Sequence, residues 1–184
     1  MERFKLIKGI YRDILTGPAN QLLYDSGWHH NTIVDNGRIL LAGLIKQDTF
    51  TGIHHLAVGQ GNESWDAQWN TETPPTSTTS DFKLVNPHEP PIEVGDMTLT
   101  YLDDQDNVVT TPTTRLQLTA TLAAGYPPPP NPSQLKTYPL REFGLFGIFN
   151  SGSGDTPYMI NSVIHPVIHK DESATLTRII RLSF

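Results

Sequence analysis

The sequence predicts a mainly β protein: a jelly-roll-like β-sandwich with one α-helix and long loops. Three observations indicate this class. About seven or eight short segments alternate apolar and polar residues, as strands with one covered face do. Turn-forming residues separate these segments, and the 184-residue chain contains 14 glycines and 15 prolines. Charged residues make up only 17% of the chain, which favours a loop-rich structural protein over a helical enzyme.

The N-terminal section predicts a β-hairpin. Phe4, Leu6 and Ile10 alternate with other residues, which indicates a strand covered on the face that these three share. Residues 15–18 (LTGP) follow as a turn, because glycine and proline supply the φ values that turns need. Residues 21–25 can then return as the second strand of the hairpin.

A single α-helix is predicted over residues 32–46. Its apolar residues recur at three- and four-residue spacings, and the segment 28–30 (WHH) connects it to the hairpin. Asn31 or Thr32 can cap its start. Gly37 lies inside the helix and costs it about 1 kcal/mol relative to alanine. We therefore expect that a close contact between this turn and the sheet requires a glycine.

The middle of the chain predicts long loops on one domain. Residues 51–59 form a short strand, and a polar segment rich in Thr, Ser and Pro follows. We expect an exposed arm or loop at about residues 71–91 and a stiff proline-rich loop at 126–132. The elements on either side of the arm are too few to bury separate cores. Residues 1–184 are therefore predicted to form a single β-sandwich domain.

The C-terminal half contains the clearest strand signals. Residues 93–102 and 108–123 alternate well and predict a hairpin around the Asp- and Asn-rich turn 103–107. Residues 141–149 (REFGLFGIF) are aromatic and predict a strand in the sheet interior, with the hairpin as the expected partner.

The last two strands are expected to close the sandwich. Residues 158–169 contain Pro166, which indicates a sheet edge or a bulge. Residues 173–184 place Leu176, Ile180, Leu182 and Phe184 on one covered face.

Composition and charge exclude several classes of function. The net charge is −6, and residues 47–136 contain three basic and eleven acidic residues, which argues against a nucleic-acid-binding surface. The chain has no cysteine, so disulfides and thiolate metal sites are excluded. The longest apolar stretch, residues 39–45, is too short to span a bilayer. We expect neither a nucleic-acid partner nor a membrane, and folding in the cytoplasm.

The histidines do not predict a metal site. Adjacent histidines in a strand point to opposite faces, so neither of the doublets, His29-His30 and His54-His55, can chelate a metal alone. His165 and His169 would lie about 13 Å apart along a strand, too far to share an ion. One histidine per subunit around an oligomer axis remains an alternative.

Other candidate motifs also have a simpler structural interpretation. Residues 103–107 (DDQDN) resemble a calcium loop in composition but lack its central glycine and distal glutamate, so a turn is favoured. Residues 59–61 (GQG) are the nearest approach to a glycine-rich phosphate-binding loop, but no lysine follows them, so the end of a strand is favoured. No nucleophile, acid–base pair or cofactor motif stands out. The predicted catalytic, cofactor and metal residues are therefore none, and the protein is not expected to be an enzyme.

Three tryptophans indicate an alternative function. Trp28, Trp65 and Trp69 lie in predicted loops, and aromatic faces suit sugar rings. Tryptophans in loops are more often anchors of a core or an interface. A carbohydrate- or receptor-binding module, with a host glycan as ligand, is thus an alternative to a purely structural role.

Two runs of the chain resemble phage tail-associated structural proteins of the baseplate and tail-fibre type, which also occur in contractile injection systems. The first is the predicted hairpin followed by NTIVDNGRILLAGLI and GIHHLAVGQGNESW. The second comprises PLREFGLFG, YMINSVIHPVIHK and LTRIIRLSF. The acidic, proline-rich middle is outside the resemblance, and the matching motifs contain no catalytic residues.

The resemblance implies a structural subunit of a bacteriophage virion or phage-tail-like particle, active in tail, baseplate or fibre attachment. The expected partners are further copies of the chain, in a homo-oligomer, and other virion or tail structural proteins. The expected location is the particle, assembled in the bacterial host cytoplasm. A capsid decoration or cement protein is the close alternative, because such proteins are also small, β-rich and loop-armed.

Overall fold

The computed structural model describes residues 7–184. This part of the chain forms eleven β-strands, one α-helix and two short 3-10 helices, Glu63–Gln68 and Val94–Asp96. The prediction of a mainly β fold with one helix is therefore confirmed. The strands and the helix are β1 Lys8–Thr16, β2 Leu22–Asp25, β3 His29–Ile33, α1 Asp35–Lys46, β4 Phe50–Gly59, β5 Ile92–Glu93, β6 Met97–Leu102, β7 Val108–Val109, β8 Arg115–Leu122, β9 Thr137–Asn150, β10 Asp155–Asp171 and β11 Thr175–Ser183.

The strands form one curled sheet whose two halves face each other. Its order is β5-β4-β9-β10-β3-β1-β11-β8-β6-β7, and β2 pairs with β1 beside β3. The two halves share one core: the ring of Tyr11 on β1 meets that of Phe143 on β9 edge-on, with centroids 5.1 Å apart. The two layers of the sandwich thus belong to a single sheet, joined where β3 pairs with both β1 and β10.

The strand β9 lies at the centre of its half of the sheet. Every residue from Tyr138 to Ile148 is buried, which confirms the expected interior position. Its partners, however, are β4 and β10, so the predicted pairing with the 93–123 hairpin is wrong. That hairpin does form, but its second strand is divided into β7 and β8, which both pair with β6, and it extends the other half of the sheet beyond β11.

The first strand shows the predicted alternation but the opposite covered face. Phe4 and Leu6 lie outside the described residues, and Ile10 is only half-buried. The side chains that point inward are those of Tyr11, Asp13 and Leu15. The prediction failed because it assigned the covered face to apolar residues, whereas here a carboxylate is buried.

The helix α1 begins later than predicted. Residues 29–33, expected in part to be a connection, form β3, and Thr32 pairs with Ser162 on β10. The N-cap is therefore Val34, which makes no side-chain cap, so the proposed Asn31 or Thr32 cap is wrong. The expected close contact at Gly37 is confirmed: a Cβ there would lie 2.5 Å from the backbone oxygen of Ile160.

The C-terminal strand and the bulge near Pro166 agree with the predictions, with one exception. Leu176, Ile180 and Leu182 are buried on β11 as expected, and the pairing of β10 with β9 shifts register around Pro166. Phe184, however, is 48% exposed. It lies beyond the last pair of β11, so its side chain reaches the rim of the core instead of its interior.

The long loops are exposed over most of their length but fixed at several points. In the arm 71–91, Leu84 is buried. In the proline-rich loop 126–132, Pro127 and Pro129 are buried, and the Tyr126 hydroxyl donates to the Pro90 carbonyl at 2.7 Å. The two loops therefore support each other at one end of the sheet.

Candidate functional site

The candidate site is a polar cleft of about 370 Å³ where the sheet opens. The strands β10 and β3 pair only at Asn161–Ile33 and Ser162–Thr32. Beyond this point β10 diverges from β3 and β2, and the gap between them forms the cleft. Its lining includes Tyr24, Ser26, His29 and His30 on one side, and Val163 to Pro166 on the other.

The arm closes one end of this polar cleft. Pro75, Thr76 and Ser77 line it together with Trp69. The Ser162 hydroxyl lies 3.0 Å from Ser77 Oγ and donates to Asp81 Oδ2 at 3.1 Å. These bonds hold part of the predicted arm against β10, so the cleft has a defined wall instead of an open loop.

A buried ionic network lies at the base of the cleft. Arg178 donates to both carboxylate oxygens of Asp13, at 2.7 and 2.8 Å, and its Nη2 lies 3.1 Å from His165 Nε2. The guanidinium also stacks on the Phe143 ring, 3.8 Å from its centroid. Asp13 and Arg178 are 0% exposed and His165 is 3% exposed. No motif in the sequence indicated this network.

The hydrogen bonds define the state of His165. Its Nδ1 lies 2.8 Å from the Pro166 carbonyl and must donate to it, so Nε2 accepts from Arg178. Burial, together with the charge of Arg178, lowers the pKa of His165 to about 4. Because both ring nitrogens are engaged, His165 has no lone pair with which to accept a substrate proton. The arrangement is a structural network and not an acid–base pair, and the Nη1 atom of Arg178 is buried in it without a partner in residues 7–184.

The three tryptophans occupy separate places. Trp69 lines the polar cleft, and its Nε1 is buried without a partner in residues 7–184. Trp65 packs on Gly61, where a Cβ would lie 2.2 Å from its ring. Trp28 stacks under the Arg181 guanidinium, 4.3 Å from the ring centroid. Only Trp69 is therefore in a position to meet a ligand in this cleft.

The histidines also lie in different parts of the structure. His29 and His30 line the polar cleft, whereas His169 lines a different cavity near Thr137. The expectation of opposite faces fails for His54 and His55, whose Nδ1 atoms are 3.2 Å apart. The strand β4 is irregular between Thr51 and His55, which turns the two rings together. Within residues 7–184, no three histidine or acidic side chains converge as a metal site requires.

Two buried charged residues on β9 attach the loops to the sheet. Glu142 accepts backbone N–H bonds from Val85 at 2.9 Å, Asn86 at 2.7 Å and Gly61 at 3.1 Å. Burial raises the pKa of its carboxyl, and the three donors oppose that rise. Beside it, Arg141 forms two bonds to Asp66, at 2.8 and 2.7 Å. The signal in the sequence was two charges inside a strand that is otherwise apolar.

The two motifs that resembled binding loops have structural roles. In the turn 103–107, Asp103 Oδ1 accepts from the backbone of Gln105 and Asn107, and Asp106 binds Arg115 and Arg181. The turn prediction is confirmed. Residues 59–61 end β4, and Gly61 adopts a positive φ of 58°.

An apolar groove of about 350 Å³ lies on another side of the molecule, between α1 and the end of the curled sheet. Within residues 7–184 its lining includes Leu40, Leu44, Ile53, Leu99, Tyr101 and Leu182, and no charged residue. Next to it, Ile45 is 84% exposed, and Leu99 and Tyr101 are also exposed. We call this combined surface of groove and exposed side chains the apolar face.

Comparisons with known proteins leave the fold and these two surfaces as the basis for function. None of the helices in residues 7–184 has the length and apolar character needed to cross a membrane. No protein-family model, no curated protein and no solved structure matches the chain.

Proposed function

We propose that the chain is a structural subunit of a bacteriophage virion or phage-tail-like particle, in tail, baseplate or fibre attachment, and that it acts through protein–protein assembly. The resemblance of its two sequence runs to phage tail-associated proteins supports the type of particle. The apolar face supports the mode of action. An alternative with the same mode of action is a capsid decoration or cement protein.

The apolar face is the observation on which the proposal rests. Single exposed apolar residues are normal, but a contiguous apolar surface marks an interaction site. Ile45 is one helical turn after Leu41, which lines the groove, so the exposed side chain and the groove adjoin. The face therefore contains both a protruding side chain and a hollow. Two copies related by a two-fold axis can each place Ile45 in the groove of the other.

A second copy is thus the occupant that this face fits best, and the oligomeric state tests it. We expect light scattering after size-exclusion chromatography to show a dimer or larger species for the wild type, and a monomer for Ile45→Glu and Leu99→Glu. Phe82→Glu is the matched control, because Phe82 is an equally apolar, exposed residue on the arm. A wild type that is monomeric at all concentrations would contradict a second copy as the occupant.

Particle purification tests the assignment to a virion. When particles from the producing bacterium are separated on a density gradient, the chain should sediment with them and resist a high-salt wash. Gold-labelled antibody should then mark tails for the main proposal or heads for the decoration alternative. Recovery of the chain only in the soluble fraction would overturn both.

A further inference from the structure

We propose that the polar cleft between β10 and β2–β3 binds a compact, neutral saccharide unit, with Trp69 and Tyr24 as contact residues. This function is separate from assembly through the apolar face. Its volume of about 370 Å³ is near the lower end of the range for small-molecule sites, roughly 300–1,000 Å³.

The lining has no net charge to offer a ligand. Among residues 7–184, the only carboxylate in the lining is that of Asp13, and two bonds from Arg178 neutralise it. Arg178 itself is not a lining residue, although its buried Nη1 has no partner in that range. Phosphates and carboxylates favour arginine and lysine donors, and no arginine or lysine of the described residues lines the cleft. A neutral ligand is therefore favoured.

Beside the aliphatic side chains of Val163, Ile164 and Ile168, the lining contains aromatic rings and uncharged hydrogen-bonding groups, as a polyhydroxylated ring requires. Tyr11 and Tyr24 line the cleft, and Trp69 Nε1 is a buried donor without a partner in the range 7–184. Burial raises the pKa of Tyr11 to about 12, so its hydroxyl remains a donor at neutral pH. The Tyr11 side chain is held in place, because its ring packs edge-on against that of Phe143.

The cleft is less suited to an added peptide strand, although it lies at a sheet opening. Strand addition requires a run of free backbone donors and acceptors. Pro166 has no N–H, and its carbonyl accepts from its neighbour His165. Across the cleft, the Ser26 carbonyl is bonded to His29 Nε2 at 2.7 Å. The arm residues 75–77 also block one end, so a compact ligand fits better than an extended one.

Titration of the ¹⁵N-labelled protein with neutral mono- and disaccharides, including glucose, galactose and N-acetylglucosamine, tests the proposal by NMR. We expect shifts confined to the lining, chiefly at Tyr24, Ser77 and Ile164. Trp69→Ala should weaken binding by about tenfold or more, because it removes a ring contact and a donor. Tyr24→Phe, which removes only a hydroxyl from an exposed residue, should weaken it by about threefold to tenfold.

Trp28→Ala is the matched control, because Trp28 is exposed and lies outside the lining; its affinity should equal that of the wild type. Absence of saccharide binding at millimolar concentration, or binding that Tyr24→Phe and Trp69→Ala leave unchanged, would overturn the proposal. Stronger binding of N-acetylneuraminic acid than of neutral sugars would contradict the neutral class. Shifts of the same residues by a library of extended peptides, with none by saccharides, would assign the cleft to peptides.

Discussion

Asp13 and Arg178 face each other across β1 and β11 as direct register partners, and neither side chain is exposed. A buried pair of this kind loses the hydration of two ions, and its hydrogen bonds and mutual attraction offset that loss. The exposed pair of Arg12 and Asp25 is a useful comparison, because it also joins two neighbouring strands but lies in water. The stability of the fold should therefore depend on the first pair far more than on the second.

Arg178→Met should destabilise the protein by about 3–5 kcal/mol, because it leaves the Asp13 carboxylate buried and uncompensated. The double variant Asp13→Leu with Arg178→Met should recover much of this loss. Urea unfolding monitored by circular dichroism gives both values. Arg12→Met is the control and should cause a much smaller loss. Additive losses in the double variant would show that the two residues are not coupled.

His165 predicts a pH dependence of stability. Its pKa is about 4 in the folded protein, against an ordinary value of 6.5. Between these two pH values the unfolded chain therefore binds a proton at this histidine, whereas the folded chain does not. The contribution of His165 to the free energy of unfolding is complete above pH 6.5. As the pH falls from about 6.5 to about 4, this contribution decreases by roughly 3 kcal/mol. The charged groups that act on it are Arg178, Asp13 and, more weakly, Arg141.

Unfolding free energies measured at intervals from pH 7.5 to 4 check this prediction. His165→Gln can still accept from Arg178 but does not titrate, so its stability should fall less steeply over this range. All other titratable groups are the same in both proteins, so their effects on stability cancel in the comparison. Parallel curves for the two proteins would contradict the assignment to His165.

At the scale of elements, β9 connects the core to the loops. One face of this strand belongs to the core, while Glu142 and Arg141 hold the segments around Gly61, Asn86 and Asp66. Aromatic content correctly predicted that β9 is an interior strand. They did not predict these attachments, because the partners of a buried charge lie 56 to 81 residues away in sequence.

Glu142→Gln should loosen the arm without unfolding the sheet. The substitution replaces one acceptor with an NH₂ group that faces an N–H donor, at a cost of about 1–3 kcal/mol. Hydrogen exchange should become faster at Val85, Asn86 and Gly61 and remain slow in β11. Glu93→Gln, at an exposed position, should leave exchange unchanged. Equal acceleration throughout the protein would mean that Glu142 supports the whole fold.

The helix gives a prediction that reverses the usual propensity rule. Glycine to alanine within a helix normally stabilises by about 1 kcal/mol, but Gly37→Ala should lower the melting temperature, because the added Cβ would collide with the Ile160 backbone. Ala42→Gly on the exposed side of α1 is the control and should show only the ordinary propensity loss. A melting temperature raised by Gly37→Ala would show that α1 can shift away from β10.

For the whole molecule, patterns in the sequence predict the fold class and most strands but not the order of the strands in the sheet. Local patterns locate β4, β6, β8 and β11, and turn motifs correctly predicted two hairpins, that of β1 with β2 and that of β6 with the segment after the turn 103–107. The central pairing of β1 with β11, and the gap between β3 and β10, depend on contacts between distant segments. The polar cleft exists because of that gap, so no motif could have indicated it.

The pairing of Lys8 with Ser183 has a consequence for the order of folding. Residues near the two ends of the described chain meet in the middle of the sheet, so the half that contains β1 cannot close until β11 has been synthesised. Contacts of such long sequence separation slow folding. During translation, β1 must therefore wait for its main partner, and its edge is open to pairing with other chains. A ribosome-bound chain that lacks β11 should consequently need chaperone protection that the complete chain does not.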